Sequence, residues 1–317
     1  MKNKIHVSSS PHIVTRKNTP YLMRMVLLAL TPAALFSLIN FGWRALFIIL
    51  ISMLSCVLWE AMMNAILHKK NSIYDGSAFV TGLLLAMNLP VSAPWWLPII
   101  GSAFAIVIVK MLFGGLGQNV VNPALAARCF LLISFAGYMC DFGGATPLLG
   151  SIDAMASATP LAIMKEGANI SLWHSFLGLT SGTIGETSTL LLLMGGLFLC
   201  FTHVIDWRIP VSYLTSFAIS ILLLGSPTFD FYFLACHLCN GGIMLGAWFM
   251  ATDYVTSPIT PKGRLLFGIL LGILTALFRI NSIEGVSYAI LFGNLLVPLI
   301  EKVTIKTAFG RRGDSHA

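Results

Sequence analysis

Charge is what this 317-residue sequence has least of. Asp, Glu, Lys and Arg make up 10% of it, against roughly a quarter of an average soluble domain. Twelve acidic and 19 basic side chains are too few to coat a globular surface, which excludes a water-soluble fold. An apolar share of 57% and a mean hydropathy of +0.86 point the same way. Other absences narrow the chemistry. No glycine-rich stretch is followed by Gly-Lys-Ser/Thr, so there is no Walker loop, and there is no dinucleotide fingerprint or multi-cysteine ferredoxin motif. Six cysteines are scattered, mostly in apolar stretches, which argues against a disulfide framework. Cys236-His-Leu-Cys239 is a CxxC without a second pair; it reads as small apolar packing, with a metal, cluster or redox role as the alternative. The first twenty residues are polar and have no apolar core, which does not fit a signal peptide.

What is present is long apolar runs. A span needs ~20 mostly apolar residues, and the chain offers ten: 22–40, 44–66, 77–89, 95–113, 122–138, 187–204, 210–225, 229–251, 264–280 and 285–303. The expected fold class is therefore all-α, a polytopic membrane protein of about ten transmembrane helices. With the N-terminus in the cytoplasm, sixteen of the 19 basic residues fall on the cytoplasmic side, Lys110 and Arg128 among them. Only Arg44, Lys165 and Arg279 fall outside. That bias follows the positive-inside rule and puts both termini inside. It also explains the net charge of +7 as membrane orientation rather than nucleic-acid binding.

The charge count divides the chain into a cytoplasmic tail (1–21), a first transmembrane half (22–138), an outer loop (139–186), a second half (187–303) and a basic cytoplasmic tail (304–317). A connection as long as 139–186 is usually functional. The halves look related: Asp75-Gly76-Ser77 with Gly82, Ala86 and Asn88 is echoed by Asn240-Gly241-Gly242 with Gly246, Ala251 and Asp253. Five spans per half would invert the second copy, and paired breaks in inverted repeats place sites near the midplane. Small residues also recur in any packed bundle, and that is the competing reading.

Three places carry candidate chemistry. In the outer loop, Asp153-Ala-Met-Ala-Ser157-Ala158-Thr159-Pro160 sets small residues beside a threonine that Pro160 biases toward an extended backbone, presenting its hydroxyl. By pattern alone an ordinary Ser/Thr-rich turn competes. Gly114-Gly-Leu-Gly-Gln-Asn119-Val-Val-Asn122-Pro123 offers freed amides and two Asn side chains, suited to a heterocycle, an ion or simply a tight turn. Glu60 is an ionisable group within a span, with Asn64 one turn on, and divides between an ion path and a structural role. Asp75 and Asp253 read as helix caps. His203, Asp206 and His237 read as satisfied or interfacial polar groups, and Trp95 and Trp96 as a membrane-interface belt.

Taken together, Ser10-Pro11-His12, Asp75 to Gly82, Gly114 to Ala124, Asp153 to Leu161 and Met250 to Pro258 resemble the NqrB/RnfD family. Its members are the D subunits of Rnf electron transport complexes and the B subunits of sodium-pumping NADH:quinone reductases. In this family a separate flavin transferase outside the membrane esterifies a threonine to the phosphate of FMN. The acceptor motif is Asp, two variable residues, Ser/Thr, Gly/Ser, then Ala-Thr. The resemblance gives Asp153, Ser157 and Ala158 the motif places and Thr159 the flavin link; the sequence departs at Ala156, where Ser or Thr is usual. Gly143 to Leu148 repeats Ala-Thr-Pro-Leu, but Asp141 is one residue too close to Thr146. Asn119 and Asn122 resemble the lining of a second, non-covalent flavin such as riboflavin. The implied function is a flavoprotein subunit of a sodium- or proton-translocating redox complex in the bacterial cytoplasmic membrane, relaying electrons between partner subunits. The resemblance gives it no catalytic residue or metal ligands of its own. The competing class is a passive channel or solute transporter, which would leave the outer loop idle.

Overall fold

The computed structural model describes residues 17–69, 72–143, 159–165, 170–186, 188–225, 230–281 and 285–305. The described residues form helices and no strand, apart from a lone antiparallel bridge between Pro90 and Thr183. The first half holds α1 (Thr19–Phe41), α2 (Trp43–Ile66), α3 (Ser77–Met87), α4 (Trp96–Met111), α5 (Pro123–Ser134) and the single turn α6 (Ala136–Met139). Two short helices follow, α7 (Pro160–Lys165) and α8 (Leu172–Leu177). The second half holds α9 (Thr189–Phe201), α10 (Arg208–Gly225), α11 (Phe231–Cys239), α12 (Ile243–Met250), α13 (Pro261–Asn281) and α14 (Gly285–Thr304).

Local chemistry sets these ends. Asn18 accepts from Tyr21 N at 3.1 Å, and Pro20 sits in the first turn of α1, a residue that needs no amide partner there. Gly42, at φ 71°, ends α1 and starts α2. Five helices are long and apolar enough to cross a membrane, α11 and α12 make one span bent by 65°, and α3, α4, α5 and α9 are shorter apolar helices. These stand at the ten places that the apolar runs mark. Of the shorter helices α3 is central: every residue of it except Phe79 is buried. A helix that is apolar all round needs such a setting.

The structure differs from the sequence reading inside several spans. The run 229–251 is broken at Asn240 to Gly242, and 122–138 breaks at Phe135. The second part of α4 (Phe104–Met111) and of α12 (Gly246–Met250) is π-helical. Lys110, Arg128 and Arg279, counted by side in the charge bias, lie within the spans and are buried in the bundle, at 4% exposure or less. Apolar windows hide such residues because one charge scarcely lowers a mean over twenty positions. Without them the remaining basic residues keep the same bias.

The described ends of the chain share one face. Lys17 Nζ donates to Thr202 O at 2.9 Å, and Thr260 and Thr304 hydroxyls lie 2.7 Å apart. Arg264 Nη1 joins the two contacts by a 2.5 Å ion pair to Asp206. Burial alone would raise the Asp206 carboxyl, but the Arg208 amide and the Arg264 guanidinium outweigh it and hold it below the usual carboxylate range.

Candidate functional site

Two spaces and a buried polar chain between them form the candidate site. The larger cavity has about 730 Å³ of empty space, and Ser77, Thr81, Lys110, Asn119, Asn122 and Trp248 are part of its lining. Glycines at φ 124°, 110° and 93° (Gly114, Gly115, Gly117) turn the chain from α4 into this wall. Asn122 then caps α5, accepting from Ala124 N at 3.0 Å while its Nδ2 donates to Met250 O at 3.3 Å. Asn119 Nδ2 donates to Val121 O at 3.1 Å. Among the described residues no hydrogen bond reaches its Oδ1, which leaves that acceptor for an occupant of the cavity. Asn122 has a structural load at both ends of its amide; Asn119 has the freer group.

Lys110 links this cavity to Glu60. Lys110 Nζ lies 2.6 Å from Glu60 Oε2 and 2.6 Å from Ser77 Oγ, with both charged side chains at 2% exposure or less. Ser72 Oγ donates to Glu60 Oε1 at 2.5 Å, and Asn64 Nδ2 donates to Ser72 Oγ at 3.0 Å. Burying two charges is tolerable when the pair is close and its remaining lone pairs are filled, as here. Asp75, one residue before the Gly76 N-cap of α3, accepts from Ser77 N at 2.8 Å. Asp253 accepts from the Thr256 hydroxyl at 3.1 Å.

The second space is a recess of about 430 Å³ lined by Phe142, Thr159, Pro160, Leu161, Thr180, Ser181, Gly182, Glu186, Asn240 and Gly241. Thr159 is half-buried at the start of α7. Its hydroxyl accepts a 3.4 Å bond from Ala162 N and, among the described residues, donates none. A threonine hydroxyl at a recess wall, donating to none of the described residues, is a group that can take a phosphoryl group. Asp153, Ser157, Ala158 and Thr146 lie outside the described residues.

A polar chain runs from the recess into the bundle. Arg128 Nη2 pairs with Glu186 Oε1 at 3.1 Å, and Arg128 Nη1 donates to Asn88 Oδ1 at 2.6 Å. Asn88 Nδ2 donates to Leu84 O at 2.6 Å and reaches Met250 Sδ at 3.9 Å, beside the Met250 carbonyl that Asn122 holds. Glu186 stands just before α9 and Thr202 just after it. The recess and the face bearing the described chain ends are therefore separated by the length of that 13-residue helix, about 20 Å.

Both helix breaks hold a resident cation. Gly76 (φ 79°) precedes α3 and Gly242 (φ 70°) precedes α12. Lys110, near the end of α4, sits on Ser77; Arg279, near the end of α13, donates to His237 O at 2.5 Å, Asn240 O at 3.0 Å and Gly241 O at 2.5 Å. Broken helices with open carbonyls are a way to bind ions. Here the guanidinium of Arg279 already fills the carbonyls of the α11 break.

Residues 6–310 match the NQR2, RnfD, RnfE family. The chain belongs to that family. It is 45% identical over 311 residues to a protein of Acetobacterium woodii named as the D subunit of a Na(+)-translocating ferredoxin:NAD(+) oxidoreductase complex, covering 96% of this chain and 95% of that protein. It is 41% identical over 332 residues, 98% of both chains, to a Clostridium ljungdahlii protein named as the D subunit of a proton-translocating ferredoxin:NAD(+) oxidoreductase complex. A Stutzerimonas stutzeri protein named as the D subunit of an ion-translocating oxidoreductase complex is 38% identical over 339 residues, 93% of both. Within this family member, sequence reasoning missed Lys110, Arg128, Glu186 and Arg279 as core groups. A signal was available: each is a lone charge within or beside an apolar run, and such a charge needs a partner.

Proposed function

We propose that this chain is the D-type membrane subunit of an ion-translocating ferredoxin:NAD(+) oxidoreductase complex. In this reading it is one part of a redox-driven ion pump, inactive alone, and it carries FMN through a phosphoester on Thr159. Similarity over nearly the whole length supports the complex. In this reading the nucleotide and ferredoxin steps belong to partner subunits.

The observation that carries the flavin assignment is Thr159 in the lining of the recess, its hydroxyl donating to none of the described residues. Thr159 would hold the phosphate, and the walls from Thr180 to Gly182 and at Asn240–Gly241 would orient the ring system. When bound, FMN supplies one- and two-electron chemistry that no side chain here can perform. Asn119 and Asn122 are the residues to hold a second, non-covalent flavin such as riboflavin in the larger cavity. With the described chain ends facing the cytoplasm, Thr159 lies outside the bacterial cytoplasmic membrane, where a flavin transferase acts. Electrons would pass between partner subunits through these two spaces. Glu60, paired with Lys110 on the cavity wall, is the candidate for the ion path.

Peptide mapping of the complex expressed with the transferase tests the assignment. The FMN mass is expected on Thr159, to be lost in Thr159→Ala with the subunit still inserted and kept in Thr146→Ala. An adduct on Thr146, or no adduct with the transferase present, overturns it.

A further inference from the structure

Glu186 belongs to no motif in the sequence, yet it is the carboxylate in the wall of the Thr159 recess. It is held tightly. A Cβ added at Gly242 would fall 2.5 Å from Glu186 Oε1, so the carboxylate lies against bare backbone at the start of α12. Its partner Arg128, at 3.1 Å, is 4% exposed, takes no part in the recess lining and extends its other nitrogen inward to Asn88. Arg279 is a further cation nearby, held on the Gly241 carbonyl. The order outward from the core is thus guanidinium, carboxylate, recess. A group in the recess meets the negative end of the ion pair first.

We propose that Glu186, backed by Arg128, is a positioning residue that sets the electrostatic field at Thr159 and holds the reduction potential of a flavin carried there low. Electrons added to a flavin bring negative charge, and a carboxylate at the recess wall opposes that charge. A few ångströms inside a protein, one unit charge is a large effect, because screening there is far weaker than in water. Arg128 holds Glu186 in place without cancelling its field in the recess, since it stands on the far side. The redox half of this inference rests on the covalent-flavin reading; the electrostatic half does not.

The test separates the two. In the full-length flavin-free chain, Thr159→Cys places a thiol at the attachment point, and only its thiolate reacts with iodoacetamide. Its alkylation rate near neutral pH is read by peptide mass at residue 159, apart from the native cysteines. Adding Glu186→Gln is expected to speed alkylation at least about tenfold, the size of one charge removed at short range through an effective dielectric of ~20. Glu186→Asp keeps the charge and the slow rate. The double change Glu186→Gln, Arg128→Met leaves no unpaired buried charge, so it guards against misfolding of the single variant; it should speed alkylation by less. Equal or slower alkylation in both neutral variants overturns the proposal.

In the assembled complex with flavin mass verified at Thr159, Glu186→Gln should raise the flavin midpoint potential, whereas the charge-keeping Glu186→Asp should leave it nearly in place. An unmoved midpoint in a loaded Glu186→Gln complex overturns the redox half. Absence of flavin from Thr159 in the parent complex would refute the attachment reading instead, and the thiol result would stand by itself.

Discussion

At the scale of single residues, the buried Glu60–Lys110 pair gives the most direct energetics. The two groups sit 2.6 Å apart with almost no exposure. Removing one partner strands the other charge and costs about 3–5 kcal/mol, whereas replacing both by apolar groups is often neutral. Glu60→Gln should therefore lower the melting temperature of the purified subunit, and Glu60→Met with Lys110→Met should restore it. If Glu60 lies on the ion path, the stable double variant will still fail to pump in sealed vesicles; normal pumping would return the pair to a structural role. Asp206 gives a pH effect of definite sign. Its folded carboxyl lies below the usual carboxylate range, so its contribution is complete above the unfolded value and fades as pH falls through the folded one. Heat denaturation of the parent and Asp206→Asn should differ at pH 7 and at pH 5, and converge only in stronger acid. A lone carboxylate in a span marks Glu60 locally, whereas Thr159 is singled out from Thr146, also a threonine before proline, by the resemblance to the family motif with Asp153 six residues upstream. Sequence alone misses Glu186 and Arg128, which are 58 positions apart and gain meaning only once α5 and the start of α9 meet.

At the scale of elements, the apolar runs located the helices well because lipid leaves the backbone few choices besides helix. Their interiors were less legible. The glycine pair at Gly241–Gly242 reads in the sequence only as part of a repeat, with the span running through it, and the π-helical parts of α4 and α12 go unread because they depend on neighbours rather than on local composition. Close packing of α10 on α13 rests on small residues. Gly268 and Gly272, four apart on α13, approach Ser212 and Ser216 of α10; a Cβ at Gly268 would also fall 2.8 Å from Ile209 O. Small residues at such spacing let two backbones come together in lipid. Gly268→Leu should therefore part these helices, giving reduced yield of folded subunit and a lower melting temperature. The same substitution at Gly137, where a Cβ would meet nothing within 4 Å, should be close to neutral.

For the whole molecule, the connected question is which face meets the cytoplasm. The chain ends, the Asp206–Arg264 pair and the threonine contact between 260 and 304 form one face. Phe142, Thr159 and Glu186 gather some 13 helical residues away at the other. Basic residues crowd the first face: Lys17, Arg208 and Arg264 are joined there by Lys262 and Lys302, and positive charge is retained on the cytoplasmic side during insertion. The second face carries native Cys140, exposed and next to Asp141, whose carbonyl accepts from Ser92. Cys56, Cys129 and Cys236 are buried, which leaves Cys140 as the most accessible native thiol among the described residues. A membrane-impermeant maleimide added to intact cells should label Cys140, and a Lys302→Cys variant should gain label at residue 302 only after permeabilisation. Labelling of residue 302 in intact cells with protection of Cys140 would invert the molecule, move Thr159 to the cytoplasm and separate it from an external flavin transferase. The labelling pattern therefore tests the orientation and the route to flavin attachment in one experiment.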